Sequence, residues 1–443
     1  MSQKIVVIGG GASGFLAAIT AAKAGASVTI LEQNSKLGKK ILSTGNGKCN
    51  LTNLNQQKEY YRCSEPEFPY VALNQFTLED TISFFHEIGI YTKNKNGYLY
   101  PHSEQASSVV EVLEMEARRL KVKLKTNERV THIECLKYDL NANRLNVSSE
   151  AGNMPDNLIN GNSVQNDNQR KTEVELEEIE SASERFLVHT ESWHYPCDSV
   201  IISCGSSASV IEGSNGSGYE LAKKLGHTIV KPLPALTGLK GIGTHFSKWA
   251  GVRVEAKISL MINGKPGISE KGELQLTDYG ISGIPVFQIS RYASRAIDEG
   301  KTVTAIIDFL PDMTIEECQR FFQSRRNNRP NKSLKEQFVG VFPGKLIEVL
   351  VGNAKEKNIP MEEIVSKIKN LEIKIKGTLD LDHAQVCTGG VSCKEINPET
   401  MESKLVPGVY FCGEVLDVDG TCGGYNLQWA WSSGYVAGKS AIS

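Results

Sequence analysis

The chain has 443 residues, 40% hydrophobic and 23% charged, a length and balance that suit about three folded units and exclude a disordered or fibrous protein. A net charge of −2 excludes a general polyanion binder, and ten cysteines without one CxxC pair exclude the usual zinc pattern and the disulfide framework of a short secreted chain. Free thiols, no metal, no membrane partner and a cytoplasmic location are expected, because Ile5-Val6-Val7-Ile8 is too short for a leader and no apolar run approaches membrane length.

In chain order, Lys4–Ile8 reads as a strand, Phe15–Ala24 as an Ala-rich helix, and Ser27–Leu31 as a strand running into Glu32. A loop rich in Gly, Ser and Lys spans Leu37–Asn53. Two amphipathic helices follow, Leu78–Ile88 and Gln105–Leu120; the first has Thr77 as N-cap, Glu79 and Asp80 in its first turn, and Gly89 as its stop. Short strands are expected near Val122–Leu124 and Val130–Ile133. Residues 141–184, Asn-rich and then acidic, lose all apolar periodicity and read as a solvated insertion with little to bury. Strands resume at Arg185–Thr190 and at Ser199–Ser203, which leads into Cys204-Gly205.

Beyond Pro232-Leu233-Pro234 the style changes. Val252–Ile262 and Glu273–Leu276 read as antiparallel strands, and helical periodicity follows at Val286–Glu299, Ile315–Ser324, Lys345–Val351 and Met361–Asn370. Residues 231–376 hold 23 Lys and Arg against 16 Asp and Glu, so a basic block interrupts an acidic remainder. After Gly377 the Gly-rich style of the N-terminus returns, which points to a discontinuous first domain with one or two domains inserted.

The chemistry begins at Gly9-Gly10-Gly11-Ala12-Ser13-Gly14, a G-x-G-x-x-G between a strand and a helix, with Glu32 at the end of the next strand. This is a dinucleotide fingerprint: Gly9 allows the tight turn, Gly11 lets backbone approach a pyrophosphate, and Gly14 lets helix and strand pack closely. The helix start offers N–H groups and a positive dipole end to phosphate, and Glu32 can hold ribose hydroxyls. Two further segments favour FAD over NAD. The loop from Gly38 through Lys40, Thr44, Gly45, Gly47, Cys49 and Asn50 can wrap a phosphate chain and a ring system. At the other end, Val409–Gly413-Glu414 reads as a strand ending in Gly-acid. Gly423-Gly424-Tyr425-Asn426-Leu427-Gln428 starts a helix whose positive end suits the charge on a reduced flavin.

These stretches, with Gly97–His102, Gly213–Gly218, Pro232–Pro234, Gly280–Gly283 and Thr388–Gly438, resemble the BaiN/aminoacetone-oxidase-like (YhiN-type) family of FAD-dependent flavoproteins. The resemblance implies an α/β fold, a discontinuous Rossmann-like FAD domain of three-layer ββα form over 1–236 and 378–443. Inside it would sit a β-rich domain over 237–300, resuming just before 378 and similar to one in an RNA pseudouridine synthase (RsuA-like). A mainly helical subdomain would span 301–377. It also implies pyrophosphate at Gly9, Gly11, Ala12, Ser13 and Gly14, ribose at Glu32, adenine at the Val130 backbone, and a further cofactor contact at Gln33. The remaining cofactor contacts would be Lys40, Thr44, Gly45, Gly47, Cys49, Asn50, Cys204, Gly205, Gly413, Glu414, Gly424, Asn426, Leu427 and Gln428. Related flavoproteins often carry Asp where Glu414 stands.

The expected function is therefore an FAD-dependent oxidoreductase acting on a small organic substrate, either amine-oxidase-like or an NAD(P)H-linked reductase. NAD(P)H is a candidate transient co-substrate, although Gly213–Gly218 and Gly238–Gly243 carry only the reversed spacing G-x-x-G-x-G. The alternatives are an RNA-associated flavoenzyme and a non-catalytic flavin redox sensor. Arg325-Arg326-Asn327-Asn328-Arg329 is basic but has no aromatic-rich strand motif beside it, so nucleic acid is not an expected partner. His102, His383, Tyr425 and a redox role for Cys49 each have a plain packing alternative, and no catalytic residue is assigned.

Overall fold

A computed structural model describes residues 2–136, 184–209, 213–352 and 359–442; apart from Glu184, the expected insertion at 141–184 lies outside them. The β-branched run Lys4–Ile8 is the middle strand of a five-stranded parallel sheet, ordered Val409–Phe411, Ser199–Ile202, Lys4–Ile8, Ser27–Glu32, Lys123–Thr126. Ile5 to Ile8 are all buried, as a central parallel strand covered on both faces requires. Strands Val130–Cys135, Phe186–Thr190 and His194–Cys197 form an antiparallel sheet whose Ile133, Phe186 and Val188 join the same core.

Helix Ala12–Lys23 packs on helix Tyr425–Ser440 so closely that a Cβ on Gly434 or Gly438 would lie 2.4 Å from the Ser13 carbonyl oxygen or 2.3 Å from that of Ala17. The two chain ends are thus locked backbone to backbone. Helix Leu78–Glu87 forms as expected, with a capping box between Thr77 and Asp80.

The chain leaves this core along strand Ile229–Ala235 and returns along Val386–Val391, and the two strands pair antiparallel. Between them lies a second core. It is built on a closed barrel of strands Leu239–Gly241, Gly280–Ser282, Lys265–Leu276, Arg253–Ile262, Val303–Asp308 and Leu371–Thr378. Val303–Asp308 sits inside the stretch expected to be mainly helical; its alternation of buried and half-buried residues is the period of a strand with one face to a core. Helices Ile315–Asn328, Leu334–Phe338, Gly344–Val351 and Met361–Lys369 intervene before the last strand.

Helix Ile284–Asp298 of the insertion faces the first core and carries the join. Arg291 makes a bidentate pair with Asp419 at 2.8 Å for both Nε–Oδ2 and Nη2–Oδ1, and donates to Thr388 Oγ1 at 2.9 Å. Arg295 shares Thr388 and lies 3.6 Å from Asp417. Among the described residues no helix is long and apolar enough to cross a membrane.

Candidate functional site

The first parallel strand ends in a turn that the glycines dictate. Gly9 has φ +103, where a Cβ would meet the Ser203 carbonyl oxygen at 2.6 Å, and its N–H donates to Leu31 O at 2.8 Å. A Cβ on Gly14 would lie 2.0 Å from the Gly9 carbonyl oxygen, so the helix can sit this close to the turn only with glycine there. Gly11 differs: among the described residues a Cβ there would meet nothing within 4 Å. It opens on a cavity, beside a helix start with no side-chain cap and no acid in its first turn. An uncapped helix start of this kind suits an anion.

Glu32 is oriented by three donors: Gly10 N–H at 2.8 Å, Asn34 N–H at 2.9 Å and Asn34 Nδ2 at 2.7 Å. Its carboxylate thereby braces the glycine turn as well as facing the cavity.

The cavity measures about 860 Å³, near the upper end of the roughly 300–1,000 Å³ usual for small-molecule and cofactor sites. Of the expected residues it brings together Gly9, Gly11, Ala12, Ser13, Glu32, Gln33, Lys40, Thr44, Gly45, Asn50, Val130, Cys204, Gly205, Glu414, Gly424, Asn426 and Leu427. These come from five separate stretches of chain, four of them at the C-terminal ends of adjacent parallel strands, where open α/β sheets bind ligands, and the fifth, Val130, at the start of an antiparallel strand.

Five expected residues do not line it. Gly14 lies beneath the turn, and Gly413 is pressed against Ser13, whose Oγ a Cβ would approach to 2.3 Å. Gly47 has φ +80 and serves the bend of its loop. Cys49 is fully buried, and burial pushes its thiol up to about 12, which suits the plain packing alternative. Gln428 spends its amide on the fold: Thr52 Oγ1 donates to it at 2.6 Å, and its Nε2 donates to Thr81 Oγ1 at 2.8 Å and Ser432 Oγ at 3.0 Å. That network ties the Gly45–Asn53 loop region to the C-terminal helix, so Gln428 holds the site together from behind.

Glu414 pairs with Lys40 inside the cavity wall and also accepts from Ser206 Oγ at 3.5 Å. Asn50 Oδ1 is buried without a hydrogen-bond partner among the described residues, in a residue that lines the cavity. Such an orphaned acceptor suits a ligand N–H or O–H. Helix Tyr425–Ser440 starts at Gly424, φ +97, without an acid in its first turn, and Asn426 closes that start by accepting from Gly420 N–H at 2.7 Å.

His383 lines the cavity from the short turn Leu381–His383, whereas His102 packs at a tilt against Tyr91, ring centroids 5.5 Å apart, and does not line it. Tyr425 also turns away, its hydroxyl donating to Asn55 O at 2.9 Å. The sequence reading missed Asn34, Arg129, Tyr98, Tyr100, Phe287 and Gln385, all of which line the cavity. The period-two spacing of Tyr98 and Tyr100 on one strand could have flagged that pair. Nothing in the sequence could have flagged Phe287, which the inserted domain contributes.

An open anion cradle at Gly11, an oriented acid at Glu32, an orphaned acceptor at Asn50 and a second positive helix end at Gly424 together fit a dinucleotide carrying a fused ring. Fold and site define an FAD-dependent oxidoreductase of the Rossmann α/β class. The HI0933-like protein Rossmann domain model matches residues 3–154 and 148–440, and the chain belongs to that family, the BaiN/YhiN-type group its motifs resemble. It is 40% identical over 450 residues to the 3-dehydro-bile acid delta(4,6)-reductase of Clostridium scindens, covering 99% of each chain. It is 30% identical over 452 residues to the ribosomal RNA dihydrouridine synthase of Haemophilus influenzae, covering 98% of this chain and 97% of that one. A 3-ketosteroid-delta4-(5alpha)-dehydrogenase structure from Rhodococcus jostii RHA1 aligns over 100% of this chain and 97% of that chain, with TM-score 0.43 and 15% identity.

Proposed function

We propose that this protein is a cytoplasmic FAD-dependent reductase that saturates a carbon–carbon double bond conjugated to a carbonyl in a small organic substrate, with NAD(P)H as electron source. The observation that carries the reading is the full-length match to a reductase of an oxidised bile acid, joined to a cavity with room beyond its phosphate-binding turn. The amine-oxidase alternative has no relative of that name among those above. Ten cysteines, all free, suit the reducing compartment in which reduced nicotinamide is available.

Bound FAD would supply hydride transfer. The chain's own residues would do the rest. The Gly9–Ser13 turn and the helix start behind it hold the pyrophosphate, Glu32 and Gln33 the ribose, and the Val130 backbone the adenine. Lys40, Thr44, Gly45 and Asn50, with Glu414 and the Gly424–Leu427 helix start, hold the flavin end. Ile284, Phe287, Leu236 and Val386 supply an apolar wall suited to a carbon skeleton. In this division, 1–236 and 378–443 bind the cofactor, and the inserted unit at 237–377 closes the substrate side.

A second reading, reduction of uridine in RNA, is favoured by the two dihydrouridine synthase relatives, at 30% and 29% identity. Both readings share one bond type, since uridine's C5=C6 bond is also conjugated to a carbonyl. Anaerobic mixing separates them. NADH or NADPH is expected to bleach the flavin, and a 3-oxo-4,6-diene bile acid to restore its colour, with ribosomal RNA fragments failing to do so. Bleaching by amines alone, followed by rapid reoxidation in air, would overturn the reductase reading; colour restored only by RNA would install the second.

A further inference from the structure

Five tyrosines cluster where strand Tyr98–Pro101 meets the turn before the C-terminal helix. Three have committed hydroxyls. Tyr60 accepts from Asn55 Nδ2 at 2.9 Å, Tyr61 donates to Gln56 Oε1 at 2.6 Å, and Tyr425 donates to Asn55 O at 2.9 Å. Tyr98 and Tyr100 differ. Both line the cavity, and neither hydroxyl has a hydrogen-bond partner among the described residues.

Their placement is fixed by packing. They stand two residues apart on one strand, so their side chains share a face. A Cβ on Gly423 would lie 2.8 Å from the Tyr98 ring, and one on Gly45 would lie 3.4 Å from the Tyr100 ring. The two rings therefore lie against the two segments assigned above to the flavin end. Burial raises the pKa of both phenols, and charge on Tyr98 raises that of Tyr100 further. Both phenols thus stay protonated near neutral pH and remain donors.

We infer that Tyr98 and Tyr100 form a two-phenol donor site for the carbonyl oxygen of the substrate, an inference that rests on the reductase reading above. As hydride adds to the carbon β to the carbonyl, the C=C pair shifts to form the new double bond of an enolate, and negative charge gathers on the oxygen. Hydrogen bonds from the two phenols stabilise that charge where it develops. Protonation of the α carbon by water then restores the carbonyl and leaves the saturated ketone, two electrons and two hydrogens richer. Ile284, Phe287, Leu236 and Val386 add an apolar wall to the same cavity, suited to the carbon skeleton that carries the carbonyl.

The test uses the full-length holoprotein and two probes, 3-oxo-5β-cholanoate and 5β-cholanoate, which differ only at the carbonyl. Dissociation constants are read by calorimetry for wild type, Tyr98→Phe, Tyr100→Phe and the double variant, with bound FAD measured in each. Wild type is expected to prefer the 3-oxo probe. The double variant is expected to lose about tenfold to hundredfold of that preference, while its affinity for 5β-cholanoate and its FAD content hold. Turnover of the 3-oxo-4,6-diene should fall by about a hundredfold or more. A purely packing role would move both probes together, so an unchanged preference in the double variant overturns the inference and leaves the reductase reading standing. If wild type binds no 3-oxo probe and reduces no enone, the reductase reading falls, and this inference with it.

Discussion

Gly11 and Gly14 lie three residues apart in one motif, yet substitution should separate cofactor binding from folding. At Gly14 a methyl group would lie 2.0 Å from the Gly9 carbonyl oxygen and 2.7 Å from Ser203 Oγ. The first is backbone and cannot rotate away, so the helix must shift off the turn. Overpacking of this kind costs about 1–3 kcal/mol, enough to lower the folded-to-unfolded ratio roughly fivefold to a hundredfold. At Gly11 the backbone is extended, φ −84 and ψ −167, which any residue adopts, and no atom of the described residues lies within 4 Å of a Cβ. Gly11→Ala should therefore leave the apoprotein as stable as wild type, or about 0.4–1 kcal/mol more stable through the unfolded chain. Gly11→Leu would project into the space assigned to the pyrophosphate, and FAD affinity should fall by at least a hundredfold, about 2.8 kcal/mol. The assay pairs urea unfolding of apoprotein with FAD titration by fluorescence quenching. Wild-type FAD affinity in Gly11→Leu, or wild-type stability in Gly14→Ala, would refute the assignment of these roles.

Two further outcomes follow from the ion pairs. Arg291→Met strips the partner from Asp419, whose side chain is 2% exposed, and should cost about 3–5 kcal/mol in chemical denaturation; adding Asp419→Asn should recover part of the loss by removing the stranded charge. Glu104 gathers Lys93, Lys95 and Lys48, and hydrogen bonds from Lys93 and then Lys95 hold its carboxyl down to about 2. Because the folded pKa lies below the unfolded value of about 4.3, its stabilisation is present above that value and lost as pH falls toward 2. Urea midpoints of wild type and Glu104→Gln should therefore differ by a constant amount above about pH 5 and converge toward pH 2; a gap that stays constant into acid would contradict the pairing.

The sequence by itself determined what depends on local backbone. Gly9 and Gly14 each carry a steric requirement readable from spacing alone, and the capping box at Thr77 and Asp80 is written in four consecutive residues. The alternation at Val303–Asp308 was equally local but short, and the helical periods around it masked it. Tertiary structure decided everything that depends on which surfaces meet. Cys49 and Gln428 stand in the motifs expected to face flavin, yet one is sealed in the core and the other binds two segments together behind the wall. The reason is that a motif fixes the path of the backbone, while the direction of each side chain depends on packing against distant chain. Conversely, Phe287 and Ile284 reach the cavity because the inserted helix docks against the C-terminal segment, through contacts such as the Arg291–Asp419 pair, which spans 128 residues of chain. The glycine turn was therefore legible in six consecutive residues, whereas the apolar wall of the cavity exists only once the two cores are joined.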